Sequence, residues 1–314
     1  MLYYIDGTVA CDDVSGNQYT DAQCTTAFVA YMAKKCTQLG MTGTYYANPS
    51  GLTADSYITP RDMLKLGIAT AANPKSLEIW ATPSQNFAVR GDNARTISIT
   101  NNVITGVGET IDNAGYKFLG GKGGSYWSGS NYWRAGVDVV DIDGHPVILS
   151  LLAKGQTSYN NLHLSTKELC DMVKASLEGQ TPTEGTNLSA LVTNGGGYCA
   201  CLVPDDVGAY VNLESPAELL NRDYSIYASS TISSLPASTS KAMTVLCALD
   251  FVKDMHISVK VKTVDISSGS GSTFYDGDIL DFWDAIRIMM AESSNTLANT
   301  IARTVGGLIL AYAA

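Results

Sequence analysis

Ser238 and Lys241 stand three residues apart in LPASTSKAMTVL, residues 235–246, just after Pro236 and at the start of an apolar, helix-like run. On a helix, residues i and i+3 share a face, with Cβ atoms roughly 5–6 Å apart. A lysine there reaches the serine hydroxyl, and it can take the hydroxyl proton if burial or a neighbouring cation lowers its pKa. Lys241 is the only lysine of the chain with a serine three positions before it. The ordinary alternative is a helix start carrying a solvated lysine, so the pair needs partners.

Two are required: a group that relays a proton to a leaving amine, and a cation that polarises the site and holds an anionic substrate. For the first, Ser293 and Asn295 in ESSNT lie between two predicted helices, about 55 residues beyond Ser238. Three other S-x-N triplets occur, at Ser15-Gly16-Asn17, Ser84-Gln85-Asn86 and Ser158-Tyr159-Asn160. None has the helix–loop–helix setting, and Ser15-Gly16-Asn17 is the closest rival. For the second, Lys122 sits in Gly120-Gly121-Lys122-Gly123-Gly124. Glycines allow backbone to approach a ligand closely, although a lysine in a glycine-rich turn is commonly just solvated.

Composition bounds the rest. The net charge of −10 and pI near 4.7 leave no basic stripe to neutralise phosphates, which argues against a nucleic-acid binder and against adhesion to an anionic membrane surface. No apolar run approaches the ~20 residues of a membrane span, and MLYYIDGTVACDD lacks the pattern of a signal peptide, so a soluble chain is expected. Seven cysteines are too few for a disulfide scaffold, and their odd number leaves at least one thiol free. Cys199-Ala200-Cys201 lacks a second ligand pair, and His145, His163 and His256 are scattered, so neither a metal nor a cofactor is expected.

The elements that must position these residues read as α+β. Helices are predicted over 24–40, from about Arg61 to Ala71, over 165–179 from a Ser165-x-x-Glu168 capping box, after Pro236, near 280–290, and after Asn295. Strands are predicted in 86–118, in VDVVDI and PVILSLLA either side of the hairpin signal Asp143-Gly144, in GAYVNLE and YSIYASS, and near 256–265. Residues 180–204, rich in Gly, Thr and Pro, read as a connector. One domain over 1–314 is expected, with a helical part at about 24–80 and 266–314 and a sheet part at about 86–178 and 205–265.

S-x-x-K, S-x-N and K-x-G together are a set shared by penicillin-binding proteins and class A β-lactamases, there with S-D-N and K-T-G variants. The runs PASTSKAMTVLCAL, DGDILDFWDAIRIMMAESSNTLANTIARTVGG, MTGTYYANPSGLTADSYITPRDMLKLG and FLGGKGGSY resemble the D-alanyl-D-alanine carboxypeptidases among the low-molecular-mass penicillin-binding proteins, serine peptidase family S11. The resemblance spans most of the chain outside 1–23 and 155–204. Its order differs from the family's, in which S-x-x-K and S-x-N precede the NP-x-GL and K-T-G stretches. Moving residues 1–180 behind residue 314 restores that order, so the chain looks like a circular permutant, with Met1 and Ala314 expected on the same side of the helical part.

The resemblance implies a penicillin-binding-protein/β-lactamase-like fold, an antiparallel sheet flanked by helices plus a helical subdomain. It implies a serine D,D-carboxypeptidase acting on D-Ala-D-Ala peptidoglycan stem peptides, with β-lactams as covalent inhibitors and an extracytoplasmic location. Ser238 would be the nucleophile, Lys241 the base, Ser293 with Asn295 the proton relay, and Lys122 the cation. The backbone N–H groups of Ser238 and Ser125 would form the oxyanion hole, beside Gly123 and Gly124. Gly123 departs from the family, standing where K-T-G has a threonine. A β-lactamase of the same fold is the first rival, but no E-x-x-L-N run lies between S-x-N and K-x-G. An esterase or amidase on this scaffold, and a non-catalytic binding module, are the others.

Overall fold

The computed structural model describes residues 19–155, 158–203, 226–252 and 257–313. Its centre is an antiparallel five-stranded sheet in the order β3-β4-β5-β6-β7. These strands are β3 (Lys117–Ser128), β4 (Asn131–Ile142), β5 (His145–Lys154), β6 (Gly197–Leu202) and β7 (Ile226–Ala228). The β4–β5 hairpin forms where the sequence predicts it. Asp143 and Gly144 take φ of 53° and 86°, the paired left-handed conformation a two-residue turn between twisted strands requires.

Alternation along VDVVDI feeds both sheet faces. Val137 and Val139 enter a core shared with the helices, while Val140 and Ile142 face a second core under α5 (Tyr159–Leu177) and α6 (Thr186–Thr193). Opposite lie α1 (Asp21–Gln38), α2 (Pro60–Ala71), α3 (Pro74–Trp80), α7 (Ser240–Phe251), α8 (Phe282–Glu292) and α9 (Asn295–Ala313). A smaller antiparallel sheet, β2-β1-β9-β8, joins β1 (Gln85–Gly91) and β2 (Arg95–Ile99) to β8 (Ser258–Lys260) and β9 (Asp278–Asp281). A short α4 (Glu109–Asn113) follows a π-helical turn at Ile104–Gly108.

Several expectations are corrected. The helix expected over 165–179 begins at Tyr159, capped by Ser158, whose Oγ accepts from Asn160 N at 3.2 Å. Ser165 lies inside it and donates to the Asn161 carbonyl instead, because Leu162 and Ser165 are both buried and tertiary packing carries the helix past the local cap signal. Residues 86–118 are strand as far as Ile99 and again from Lys117, with the π turn and α4 between. The connector expected at 180–204 contains α6 and β6, and β6 is an interior strand of the sheet, with Cys199 and Cys201 buried in the core it shares with α2. β1 and β2 lie in the small sheet with β8 and β9, and α7 packs in the helical core. GAYVNLE, Met1 and Ala314 fall outside the described residues.

Two charged anchors fix the helical part. Asp62, in the first turn of α2, accepts from Gly43 N at 2.7 Å, Thr44 Oγ1 at 2.8 Å and Lys65 Nζ at 3.0 Å, which ties down the loop between α1 and α2. Arg303 on α9 binds Asp265 through Nε at 2.9 Å and one terminal nitrogen at 2.8 Å, with both side chains almost fully buried. Removing one member of such a pair strands a buried charge. Asp265→Ala is therefore expected to lower unfolding stability by roughly 3–5 kcal/mol in denaturant titration.

Candidate active site

Ser238 sits in a 3-10 turn, Ala237–Thr239, that runs directly into α7. Ala237 has φ of 46°, a left-handed conformation costly for a residue with a Cβ. Gly51 holds it there, since a Cβ on Gly51, itself at φ +77°, would overlap the Ala237 carbonyl oxygen. The NPSGL loop is shaped for that approach. Asn48 Oδ1 accepts from Ser50 N at 3.1 Å and Gly51 N at 2.7 Å, and Thr244 Oγ1 donates to the Pro49 carbonyl at 2.8 Å. α7 is buried from Ser240 to Leu249, so the turn rests on a helix enclosed by the core.

Lys241 is fully buried, and its Nζ has three neighbours: the Ser50 carbonyl at 2.7 Å, Asn295 Oδ1 at 2.7 Å and Ser238 Oγ at 3.1 Å. Asn295 Nδ2 donates to the Ser268 carbonyl at 2.8 Å, which fixes the amide with its oxygen toward the lysine. Burial drives the Lys241 pKa well below the ordinary lysine value, and the charge of Lys122 adds to the effect. A neutral amine has two N–H donors and one lone pair. Ser50 and Asn295 offer only oxygen acceptors and take both hydrogens, which turns the lone pair to the Ser238 hydroxyl. This is the arrangement of a general base beside its nucleophile.

Lys122 approaches from β3. Its Nζ donates to Ser293 Oγ at 3.1 Å and to the Gly123 carbonyl at 2.7 Å. Burial pushes its pKa down to about 7, with Asp138 acting in the opposite direction. Ser293 ends α8 in a left-handed conformation, φ 64° and ψ 33°, which turns the chain sharply between α8 and α9. Gly124 faces the nucleophile turn so closely that a Cβ there would lie 2.8 Å from Ser238 N. That contact sets the backbone of Ser125, the next residue, beside Ser238.

One cavity of about 810 Å³ is lined by Ser238, Ser293, Asn295, Lys122, Gly123, Gly124 and Ser125 together. All of these sequence-predicted residues line it except Lys241, which lies beneath Ser238 and touches it. Of the rival triplets, Ser84-Gln85-Asn86 leads into β1 and contributes nothing to the cavity, Ser158-Tyr159-Asn160 opens α5 and lends it only Tyr159, and Ser15-Gly16-Asn17 falls outside the described residues. Among the described residues, no group of three or more His, Cys, Asp and Glu side chains could hold a metal ion.

Residues 14–120 match the family model of D-alanyl-D-alanine carboxypeptidase. The matched stretch carries the NPSGL loop that holds Ala237 and supplies the Ser50 carbonyl, and the start of α2 with its Asp62 anchor. It ends just before Lys122 and does not include Ser238, Lys241, Ser293 or Asn295. No curated protein and no solved structure matches the chain. No helix among the described residues is long and apolar enough to cross a membrane.

Four contributors escaped the sequence reading. The Ser50 carbonyl is a backbone acceptor, and no residue type announces it. Ser268 and Gly269 hold Asn295, and the only signal was the Gly/Ser-rich turn SSGSGS. Asp138, buried at the edge of the cavity, was hidden inside an alternating strand.

Proposed function

We propose that the protein is a serine D,D-carboxypeptidase that removes the terminal D-alanine of D-Ala-D-Ala peptides through an acyl-enzyme on Ser238. The observation that carries this reading is the buried Lys241 amine, held by the Ser50 carbonyl and Asn295 Oδ1 at 2.7 Å each and 3.1 Å from Ser238 Oγ, with burial driving its pKa well down. The family match over 14–120 supports the substrate class, peptidoglycan peptides.

In this mechanism Lys241 takes the Ser238 proton as Oγ attacks the carbonyl carbon of the scissile bond. The oxyanion is held by the N–H groups of Ser238 and Ser125, and one such donor lowers the barrier by roughly 3–4 kcal/mol. Ser293, bonded to Lys122 and followed closely by Asn295, passes a proton to the departing D-alanine nitrogen. Water then attacks the ester and regenerates Ser238. A penicillin follows the same first step, its lactam nitrogen remaining tethered. In chain order the S-x-x-K and S-x-N motifs follow the K-x-G strand, which supports a circularly permuted arrangement. The packing of α1 on α9, where Tyr19 Oη donates to the Leu310 carbonyl at 3.4 Å, is what consecutive helices at the original junction would make.

D-alanine release from diacetyl-Lys-D-Ala-D-Ala tests the reading. Release that disappears in Ser238→Ala is expected, and no release from a folded protein that still forms a penicillin adduct would redirect it to another acyl donor. A pH profile adds a second check. Lys122 has its pKa lowered from 10.5 to about 7, so its ammonium is present below about 7 and lost above. For a carboxylate-ended peptide, kcat/KM is expected to fall as pH rises through about 7, a limb absent for an acyl donor without that carboxylate. The stability sign is the reverse. Between about 7 and 10.5 the unfolded chain holds a proton that folded Lys122 lacks, so this lysine's contribution to stability rises with pH across that window.

A further inference from the structure

Behind β3 the cavity continues onto the sheet face that carries α5. β4 sends Gly136 and Asp138 to that face, in the row that Val140 and Ile142 extend into apolar core. Asp138 is 2% exposed, yet its Oδ1 has no hydrogen-bond partner among the described residues. It lines the cavity with Val103, Val107, Leu162 and His163. Glycines make the room. A Cβ on Gly121 would overlap Asp138 Oδ1, and a Cβ on Gly123 would meet only Val103 Cγ2, at 3.9 Å.

A carboxyl buried in such a row needs a partner. Lys122, the cation that acts on it, stands on the opposite face of β3, held by Ser293 and Gly123. His163 has its pKa lowered by burial and is neutral at neutral pH. The chamber thus has apolar walls, one unsatisfied acidic oxygen, and a direct opening to the nucleophile.

We infer that this chamber is a subsite of the acyl donor, which receives an alkyl arm ending in a primary ammonium and pairs that ammonium with Asp138. The inference rests on the acyl-transfer reading of the Ser238 site. The methylenes of the arm would cover Val103, Val107 and Leu162, and the ammonium would satisfy the orphan oxygen. An arm with a neutral amide end would bring no positive charge or ammonium donor to that oxygen. Burial raises the Asp138 carboxyl to about 8, so ionising it in the empty chamber is costly, and an entering ammonium offsets that cost.

The test measures binding by titration calorimetry to Ser238→Ala protein, which holds peptide without turnover. The two ligands are α-acetyl-L-Lys-D-Ala-D-Ala and its ε-acetylated form, which differ only in the amine. The free amine is expected to bind roughly 10- to 150-fold tighter, the range of a hydrogen bond to a charged group. Asp138→Asn, which keeps the side-chain shape, should abolish that preference and leave the ε-acetylated peptide unchanged. Gly136→Val, which fills the chamber with Asp138 still present, should abolish it too. Equal binding of the two peptides, binding of neither, or a preference that survives Asp138→Asn would overturn the inference. A penicillin adduct on Ser238 in the unsubstituted protein decides the acyl-enzyme reading separately, so the two fail distinguishably.

Discussion

Replacing Lys241 with methionine is expected to slow acylation of Ser238 by benzylpenicillin roughly 10²- to 10⁴-fold, the range for loss of a positioned general base. Methionine keeps the length of the buried chain and removes only the amine, in a helix whose first turns are enclosed by core. The protein should therefore still unfold cooperatively, and the loss should appear in the rate. Timed intact-mass measurements read that rate directly. A loss below about tenfold would place the base elsewhere.

The second large effect is a gain. Gly123→Thr puts a hydroxyl where the resemblance implies one that binds the substrate's terminal carboxylate. A hydrogen bond to a charged group is worth roughly 1.5–3 kcal/mol, so kcat/KM for a D-Ala-D-Ala peptide should rise roughly 10- to 150-fold. The site accepts the change: Gly123 is not in the left-handed region, and an added Cβ finds only Val103, at ordinary contact distance. A β-branched residue also suits a strand better than glycine. The same side chain would narrow the way to the chamber behind β3, so the gain should be largest for peptides without a free amine. Unchanged kcat/KM for such peptides would mean that the carboxylate is not held at this strand.

How far the site was legible depended on whether side chains or backbone did the positioning. The i, i+3 spacing of Ser238 and Lys241 survives because the 3-10 turn passes straight into α7, so both side chains stay on one face. Asn295 was marked by its S-x-N setting between two helices, but its contact with Lys241, across 54 residues of sequence, could not be read from spacing. The Ser50 carbonyl was invisible, and so was the reason for Gly51, because both act through backbone geometry around Ala237. In the fold, Asp143-Gly144 fixed its hairpin locally, whereas Ser165 failed as a cap because packing of α5 extended the helix to Ser158. Short apolar runs between glycines concealed α6 and β6, whose stability comes from burial against β5 and α5 and not from local propensity. Asp138 lay unremarked in the strand-like run VDVVDI, and because both faces of this sheet are covered, its place in the alternation does not tell whether it is exposed.

Intact-protein mass spectrometry after incubation with benzylpenicillin, beside a Ser238→Ala control, tests the central claim most directly. The account predicts one penicillin added per chain, on Ser238, and no addition to the control. A folded protein that gains no mass, or a control that gains as much, would contradict it.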